Sequence, residues 1–254
     1  MLRKRLIVSL LIDNERHLVN TVNFTKRHYI GDPLNASYIF SDYEVDELLV
    51  LDIDAATNNR CIPYAFVQAL SNFTTVPLSV GGGIKNSREI KDLLSLGVEK
   101  VVIGENLNDN FNFLREASSK FGSSSITAIL NVKKSQDGTY NFFSGKKKIP
   151  NNDIIKVACK CQDAGAGELI INNIDRDGKK NGYDIDLMSR LNSKLKIPLV
   201  ALGGCGNTND IKELINKTNI SGIACSTLFV YATNTKNVLL KYGEIKEKIE
   251  DNLT

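Results

Sequence analysis

Three glycine turns carry the most legible chemistry in this chain. Gly81-Gly82-Gly83 and Gly203-Gly204-Cys205-Gly206 each end a short apolar run, and Asp177-Gly178 ends another. Glycine tolerates positive φ and lets a ligand approach main-chain N–H groups closely. Such N–H groups near a helix N-terminus hold a phosphate without a side-chain cation. Ala224-Cys225-Ser226-Thr227 offers further N–H groups and hydroxyls. Gly82, Gly83, Asp177, Gly178, Gly204, Cys225 and Ser226 are therefore the candidate phosphate-binding residues. Any one of these turns could merely close a tight loop; their recurrence after successive runs favours phosphate.

The elements that must position these turns follow from the spacing of apolar residues. Eight runs rich in Val, Ile and Leu recur: Arg5–Ile12, Glu47–Ile53, Pro77–Val80, Lys100–Ile103, Ile126–Val132, Glu168–Ile174, Pro198–Leu202 and Gly222–Ser226. Continuous apolar runs indicate strands covered on both faces, hence a parallel sheet. Helical patterns lie between them, such as Ser87–Leu96, with Ser87 read as its cap, and Asn209–Ile215. Eight strands alternating with helices in 254 residues predict an α/β fold, a single (β/α)₈ TIM barrel over 1–254, with a doubly wound open sheet as the alternative. In such barrels the loops after strands seven and eight typically bind phosphate.

An internal repeat strengthens the barrel. ELLVLDIDA from Glu47 returns as ELIINNIDR from Glu168, and VPLSVGGGI from Val76 as IPLVALGGC from Ile197. Glu47 and Glu168, Asp54 and Asp175, Pro77 and Pro198, and Gly82 and Gly203 all lie 121 positions apart. The chain thus reads as two (βα)₄ halves, about 1–122 and 123–254. One insertion, Lys133–Lys148, carries an Asp137-Gly138 turn and a return arm with Tyr140, Phe142 and Phe143. It reads as either a lid or a structural ribbon.

Composition narrows the function classes. Net charge is only +3 and basic residues alternate with acidic ones, so nucleic-acid binding is not expected; Lys146-Lys147-Lys148 reads as a solvated loop. No apolar stretch is long enough to span a membrane, and the N-terminal run reads as a first strand rather than a signal peptide. Five scattered cysteines lack metal spacing and suggest free thiols in a reducing cytoplasm. No metal or cofactor is expected.

At these motifs the chain resembles the cyclase subunit of imidazole glycerol phosphate synthase, the HisF family, over almost its full length. The resemblance rests on MLRKRLI, GDP at Gly31–Pro33, DELLVLDIDA, PLSVGGGI, EKVVIG, FFSGKK, GAGELIINNIDRDGKKNGYD and PLVALGGCG. It implies a ribulose-phosphate-binding type of barrel. It also implies a HisH-like glutaminase docked at the N-terminal face, whose ammonia crosses the barrel to a phosphorylated substrate. Arg5, Glu47, Lys100 and Glu168 match the family's charged ammonia entrance, although they could simply cap a barrel end with salt bridges. Glu99 matches a position facing the glutaminase.

The departures bear on activity. The family's two acid–base aspartates fall at Leu11 and Asn131; leucine transfers no proton and asparagine is no general base. Asp13, two residues along, is a candidate substitute for the first. The family's lysine after strand one falls near Asn20. Glu105 replaces part of an Asn-Thr phosphate grip and would repel a phosphate, and Leu202 replaces a serine. Three functions therefore compete. The first is a HisF-like ammonia-channelling subunit of a glutamine amidotransferase. It would serve amidination of an N-acetylated nucleotide sugar in surface-polysaccharide synthesis, with a third, ATP-dependent protein. The second is the histidine-pathway cyclase itself. The third is a non-catalytic scaffold that binds a phosphorylated ligand.

Overall fold

The computed structural model describes residues 3–104, 107, 111–144, 147–148, 153–231 and 237–253. Its first strand, β1 (Arg5–Ile12), is followed by a hairpin, β2 (Leu18–Val22) and β3 (Lys26–Gly31), then α1 (Pro33–Asp42). Three βα units follow: β4 (Glu47–Asp52) with α2 (Tyr64–Phe73), β5 (Leu78–Gly81) with α3 (Ser87–Ser95), and β6 (Lys100–Ile103) with α4 (Asn112–Phe121). The second half opens with β7 (Ile126–Lys134), its return strands β8 (Tyr140–Ser144) and β9 (Lys147–Lys148), and α5 (Ile154–Asp163). It continues through β10 (Glu168–Asn173), α6 (Ile185–Asn192), β11 (Leu199–Leu202), α7 (Thr208–Lys217) and β12 (Gly222–Cys225). Short helices α8 (Thr227–Val230), α9 (Gly243–Glu247) and α10 (Glu250–Leu253) end the chain.

The eight runs expected to be strands are β1, β4, β5, β6, β7, β10, β11 and β12, within one or two residues at each end. All pair in parallel in that order, and β12 pairs back onto β1. The ring is closed, so the open-sheet alternative falls. Alternation along each strand then separates two cores. Leu6, Val8, Leu10 and Ile12 join the layer between sheet and helices. Ile7, Leu49, Val102, Ile129, Ile170, Val200, Leu202 and Ala224 fill the barrel interior. Each of the Val, Leu and Ile side chains among them contributes roughly 1.5–3 kcal/mol on burial. Among the described residues no helix is long and apolar enough to cross a membrane.

Helix starts follow local chemistry. Asp32 caps α1 through Asn35 N at 2.7 Å, with Pro33 in the first turn. The cap of α3 is Asn86 rather than Ser87, because the Asn86 carboxamide reaches the Arg88 and Glu89 N–H groups. Asn207 and Asp210 make a reciprocal capping box on α7.

The Lys133–Lys148 insertion is built into the body. β8 pairs antiparallel with β7, Gly138 takes positive φ at the turn, and Tyr140 and Phe142 are buried in the outer core. Tyr140 also donates to Asp184 Oδ2 at 2.8 Å. Of the two readings, the described part fits the structural ribbon. Lys146 lies outside the described residues.

The β2–β3 hairpin was not legible in the sequence. Two of its three turn residues, Asn23 and Phe24, take positive φ (52° and 61°), where glycine would be the usual signal. Asp177 holds this strained turn: its main-chain oxygen accepts from Asn23 N at 3.1 Å, and its carboxylate accepts from Thr21 Oγ1 at 2.6 Å and Phe24 N at 3.3 Å.

Candidate functional site

Charge enters the barrel at its N-terminal end. Arg5 on β1, Glu47 on β4, Lys100 on β6 and Glu168 on β10 point inward and close a four-membered ring of alternating sign. Arg5 Nη1 and Nη2 pair with Glu47 and Glu168, while Lys100 Nζ reaches Glu47 at 2.9 Å and Glu168 at 3.3 Å. Ser79 Oγ on β5 donates to the second Glu47 oxygen at 2.6 Å. The two carboxylates are almost fully buried. Burial pulls the Arg5 pKa down, but Glu168 and Glu47 outweigh it and the net shift is upward. The four residues singled out from the sequence thus form one connected unit. Glu99 is exposed beside them.

Above the ring the interior is apolar, with hydroxyls set into it. Ser9 shares the inward parity of Ile7 on β1, and Thr127 that of Ile129 on β7; both are almost fully buried. Neither hydroxyl oxygen has a hydrogen-bond partner.

At the C-terminal end lies a cavity of about 150 Å³. Leu11, Leu51, Ile53, Ile84, Val102 and Ile129 give it an apolar wall; Gly82, Gly83 and Gly104 line one side, and Asn131 and Asn172 another. The hairpin supplies a roof through Thr21, Phe24 and Arg27. Arg27 makes a bidentate pair with Asp54 at 2.5 and 2.6 Å, and that pairing holds the Asp54 carboxyl below its usual range despite burial. Asp52 accepts from Arg60 at 2.6 Å and from Ala55 N at 2.9 Å. Burial nevertheless pushes its pKa upward, against the pull of Arg60. The lining charges are therefore paired, and the cavity is close to neutral.

Leu11 and Asn131, the positions matching the family's acid–base pair, both line this cavity. Asn131 Oδ1 accepts from Asn172 Nδ2 at 3.2 Å. Asp13 is not among the lining residues: its carboxylate accepts from Glu15 N and His17 N at 3.0 and 2.9 Å, closing its own turn. Asn20 is buried beneath α8 and accepts from Thr227 Oγ1 at 3.2 Å. Glu105 lies outside the described residues.

The glycine turns divide between two places. Gly82 and Gly83 belong to the cavity, whereas Asp177, Gly178, Gly204, Cys225 and Ser226 lie on the strand ends of the second half, outside its lining. Gly178 and Gly204 take positive φ, 69° and 108°. A Cβ there would fall 2.0 Å from Thr21 O and 2.1 Å from Gly182 O. Close packing of the chain against itself thus explains both glycines before any ligand is invoked. Among the described residues no main-chain acceptor takes the N–H groups of Gly178, Gly204 or Cys205, while Gly206 N is engaged by Asp210 at 2.8 Å. Asp177 faces the hairpin, and burial pushes its carboxyl up to about 6. Cys225 Sγ lies 2.9 Å from Tyr183 Oη. Cys205 is buried beside them, and that burial raises its pKa well above the usual thiol value.

Sequence reasoning missed Asn172, Arg27, Phe24 and the Asp52–Arg60 pair. The one available signal was Asn172-Asn173, two carboxamides in the otherwise apolar run ELIINNI.

Residues 5–235 match the model of the histidine biosynthesis protein family. A provisionally named imidazole glycerol phosphate synthase subunit HisF of Leptospira interrogans is 38% identical, covering 98% of each chain. A provisionally named subunit hisF3 of Vibrio vulnificus is also 38% identical, over 98% of this chain and 96% of its own. The imidazole glycerol phosphate synthase subunit HisF of Lactococcus lactis is 32% identical, over 99% and 95%. With a closed eight-stranded barrel, full-length coverage and this motif set, the chain belongs to the HisF branch of the histidine biosynthesis protein family.

Proposed function

We propose that the chain is the ammonia-conducting barrel of a glutamine amidotransferase. A HisH-like glutaminase docks at the N-terminal face near Glu99, and ammonia enters through the Arg5–Glu47–Lys100–Glu168 ring. It crosses the interior and emerges in the C-terminal cavity. One observation carries this reading: an intact charged ring stands below a cavity in which Leu11 and Asn131 offer no general acid or base. The entrance is kept while the old chemistry is gone.

The acceptor in this reading is an N-acetylated nucleotide sugar of surface-polysaccharide synthesis, converted to its amidine. Ammonia does not expel an amide oxygen unaided, so a third, ATP-dependent protein activates that oxygen. The phosphate-binding turns at Gly178, Gly204, Cys225 and Ser226 hold a phosphorylated ligand on the second half, with Gly82 and Gly83 contributing from the first. The chain works free of membrane and nucleic acid, in the cytoplasm.

The histidine-pathway cyclase is the second reading, favoured by the names of the relatives. Ammonium salt and the histidine-pathway intermediate separate the two without any partner protein. The purified chain is expected to give no cyclised product, and to co-purify with a HisH-like glutaminase whose turnover rises in the complex. Ammonium-dependent cyclisation would establish the second reading instead. Failure to bind any glutaminase would leave a phosphate-binding scaffold.

A further inference from the structure

The replacement of acid by amide at Asn131 leaves more than a lost function. Asn172 is 7% exposed, and its Oδ1 is buried with no hydrogen-bond partner. Its Nδ2 is already engaged by Asn131 Oδ1 at 3.2 Å. Among the described residues nothing accepts from Asn131 Nδ2. The hydrogen-bonded pair therefore presents one unfilled acceptor, Asn172 Oδ1, and one unfilled donor, Asn131 Nδ2. Leaving a buried acceptor without a partner forfeits its hydration with nothing in return, so a visiting N–H group is favoured there.

The surroundings select the visitor's size and charge. Leu11, Leu51, Val102 and Ile129 wall the pair, a setting that penalises an unpaired charge heavily. The charged lining residues among those described are Arg27 and Asp52, each held by a partner, Asp54 and Arg60. Below the pair, the orphaned hydroxyls of Ser9 and Thr127 repeat the same unfilled acceptor inside the barrel.

We propose that the Asn131–Asn172 pair binds one molecule of neutral ammonia at the top of the barrel interior, before it leaves the chain. Asn172 Oδ1 accepts an ammonia N–H, and Asn131 Nδ2 donates to the ammonia lone pair. Both amides are uncharged, so the pair itself supplies no charge that would favour ammonium over the neutral base. This inference rests on the ammonia-conducting reading for its purpose, but the site is testable on the chain alone.

The test is a titration of the full-length chain with ammonium chloride, following the carboxamide ¹H–¹⁵N resonances of Asn131 and Asn172, with potassium chloride as control. The resonances should shift saturably with ammonium and not with potassium. Half-saturation in total ammonium should fall about tenfold for each pH unit gained below the ammonium pKa, because only the neutral species binds. Asn172→Ala should abolish the response of Asn131. Asn131→Asp should bind ammonium instead, with a half-saturation that no longer varies with pH. A wild-type half-saturation independent of pH, or no shift beyond the potassium control, overturns the proposal. Glutaminase binding is measured separately: a silent titration with glutaminase bound sinks only this site, and a saturating titration without glutaminase sinks only the amidotransferase reading.

Discussion

Asp177 shows how a residue chosen for one role is placed by the fold in another. Read from the sequence as a wall of the phosphate site, its carboxylate instead receives Thr21 and Phe24 of the hairpin. Burial raises its pKa from the ordinary 3.8 to about 6. Between those values the folded chain binds a proton that the unfolded chain has released. Stability therefore falls as pH rises through that window, and the loss is complete above about 6. Asp177→Asn keeps an acceptor for Thr21 and removes the titration. It should flatten this decline, worth on the order of 3 kcal/mol, in urea midpoints measured across the window; an unchanged slope would assign the decline to other groups. Asn172 teaches the converse. Its type and its inward parity on β10 were both readable, but its neighbour Asn131 lies on another strand, so the pair could not be read from either segment.

Two hairpins of similar length, β2–β3 and β7–β8, differed sharply in legibility. Asp137-Gly138 announces the second, because Gly138 meets its positive φ at no steric cost and has open space around it. The first turns on Asn23 and Phe24, a strained conformation that Phe avoids unless tertiary contacts impose it. Those contacts come from the loop after β10, and Gly178 lets them close. Gly178→Ala would set a Cβ 2.0 Å from Thr21 O at a φ of 69°, and should cost about 2–4 kcal/mol by displacing the hairpin. Gly138→Ala, strained in φ but unobstructed, should cost only about 1 kcal/mol. Equal losses in thermal or urea unfolding would mean that the hairpin is not seated on Gly178. Arg27 adds a second tether, partly exposed and correspondingly weak.

Across the whole molecule the charged ring ties strands of both halves at one end of the barrel. Its carboxylates are buried, so breaking one pair strands a charge: Glu168→Gln should cost about 3–5 kcal/mol in denaturant unfolding. Replacing all four together behaves differently, because buried ion networks can often be exchanged for well-packed apolar residues without loss. A chain carrying Arg5→Met, Glu47→Leu, Lys100→Met and Glu168→Leu should fold with near-native stability. In complex with a glutaminase, however, it should no longer pass glutamine-derived nitrogen. Undiminished transfer would reduce the ring to a structural cap.

The sequence by itself determined eight doubly covered strands and a repeat of 121 positions, because each apolar run needs cover on both faces. Those features favoured a closed barrel over an open sheet, and the pairing of β12 with β1 decided it. The sequence also set the charge signs of the ring and the absence of carboxylates at Leu11 and Asn131, since these depend only on residue type and strand parity. Tertiary structure alone decided which turns share a cavity. The glycines divide between two places, Gly82 and Gly83 at the cavity and Gly178 and Gly204 outside its lining, although a Cβ at any of the four would strike main chain. It also decided that Asp13 satisfies its own turn and that a hairpin without a turn signal roofs the cavity. For the divided glycines and the hairpin the physical reason is the same: their partners come from strands and loops far apart in sequence, and only the closed fold brings them into contact. Asp13 differs, because its partners lie two and four residues away and its own turn satisfies it.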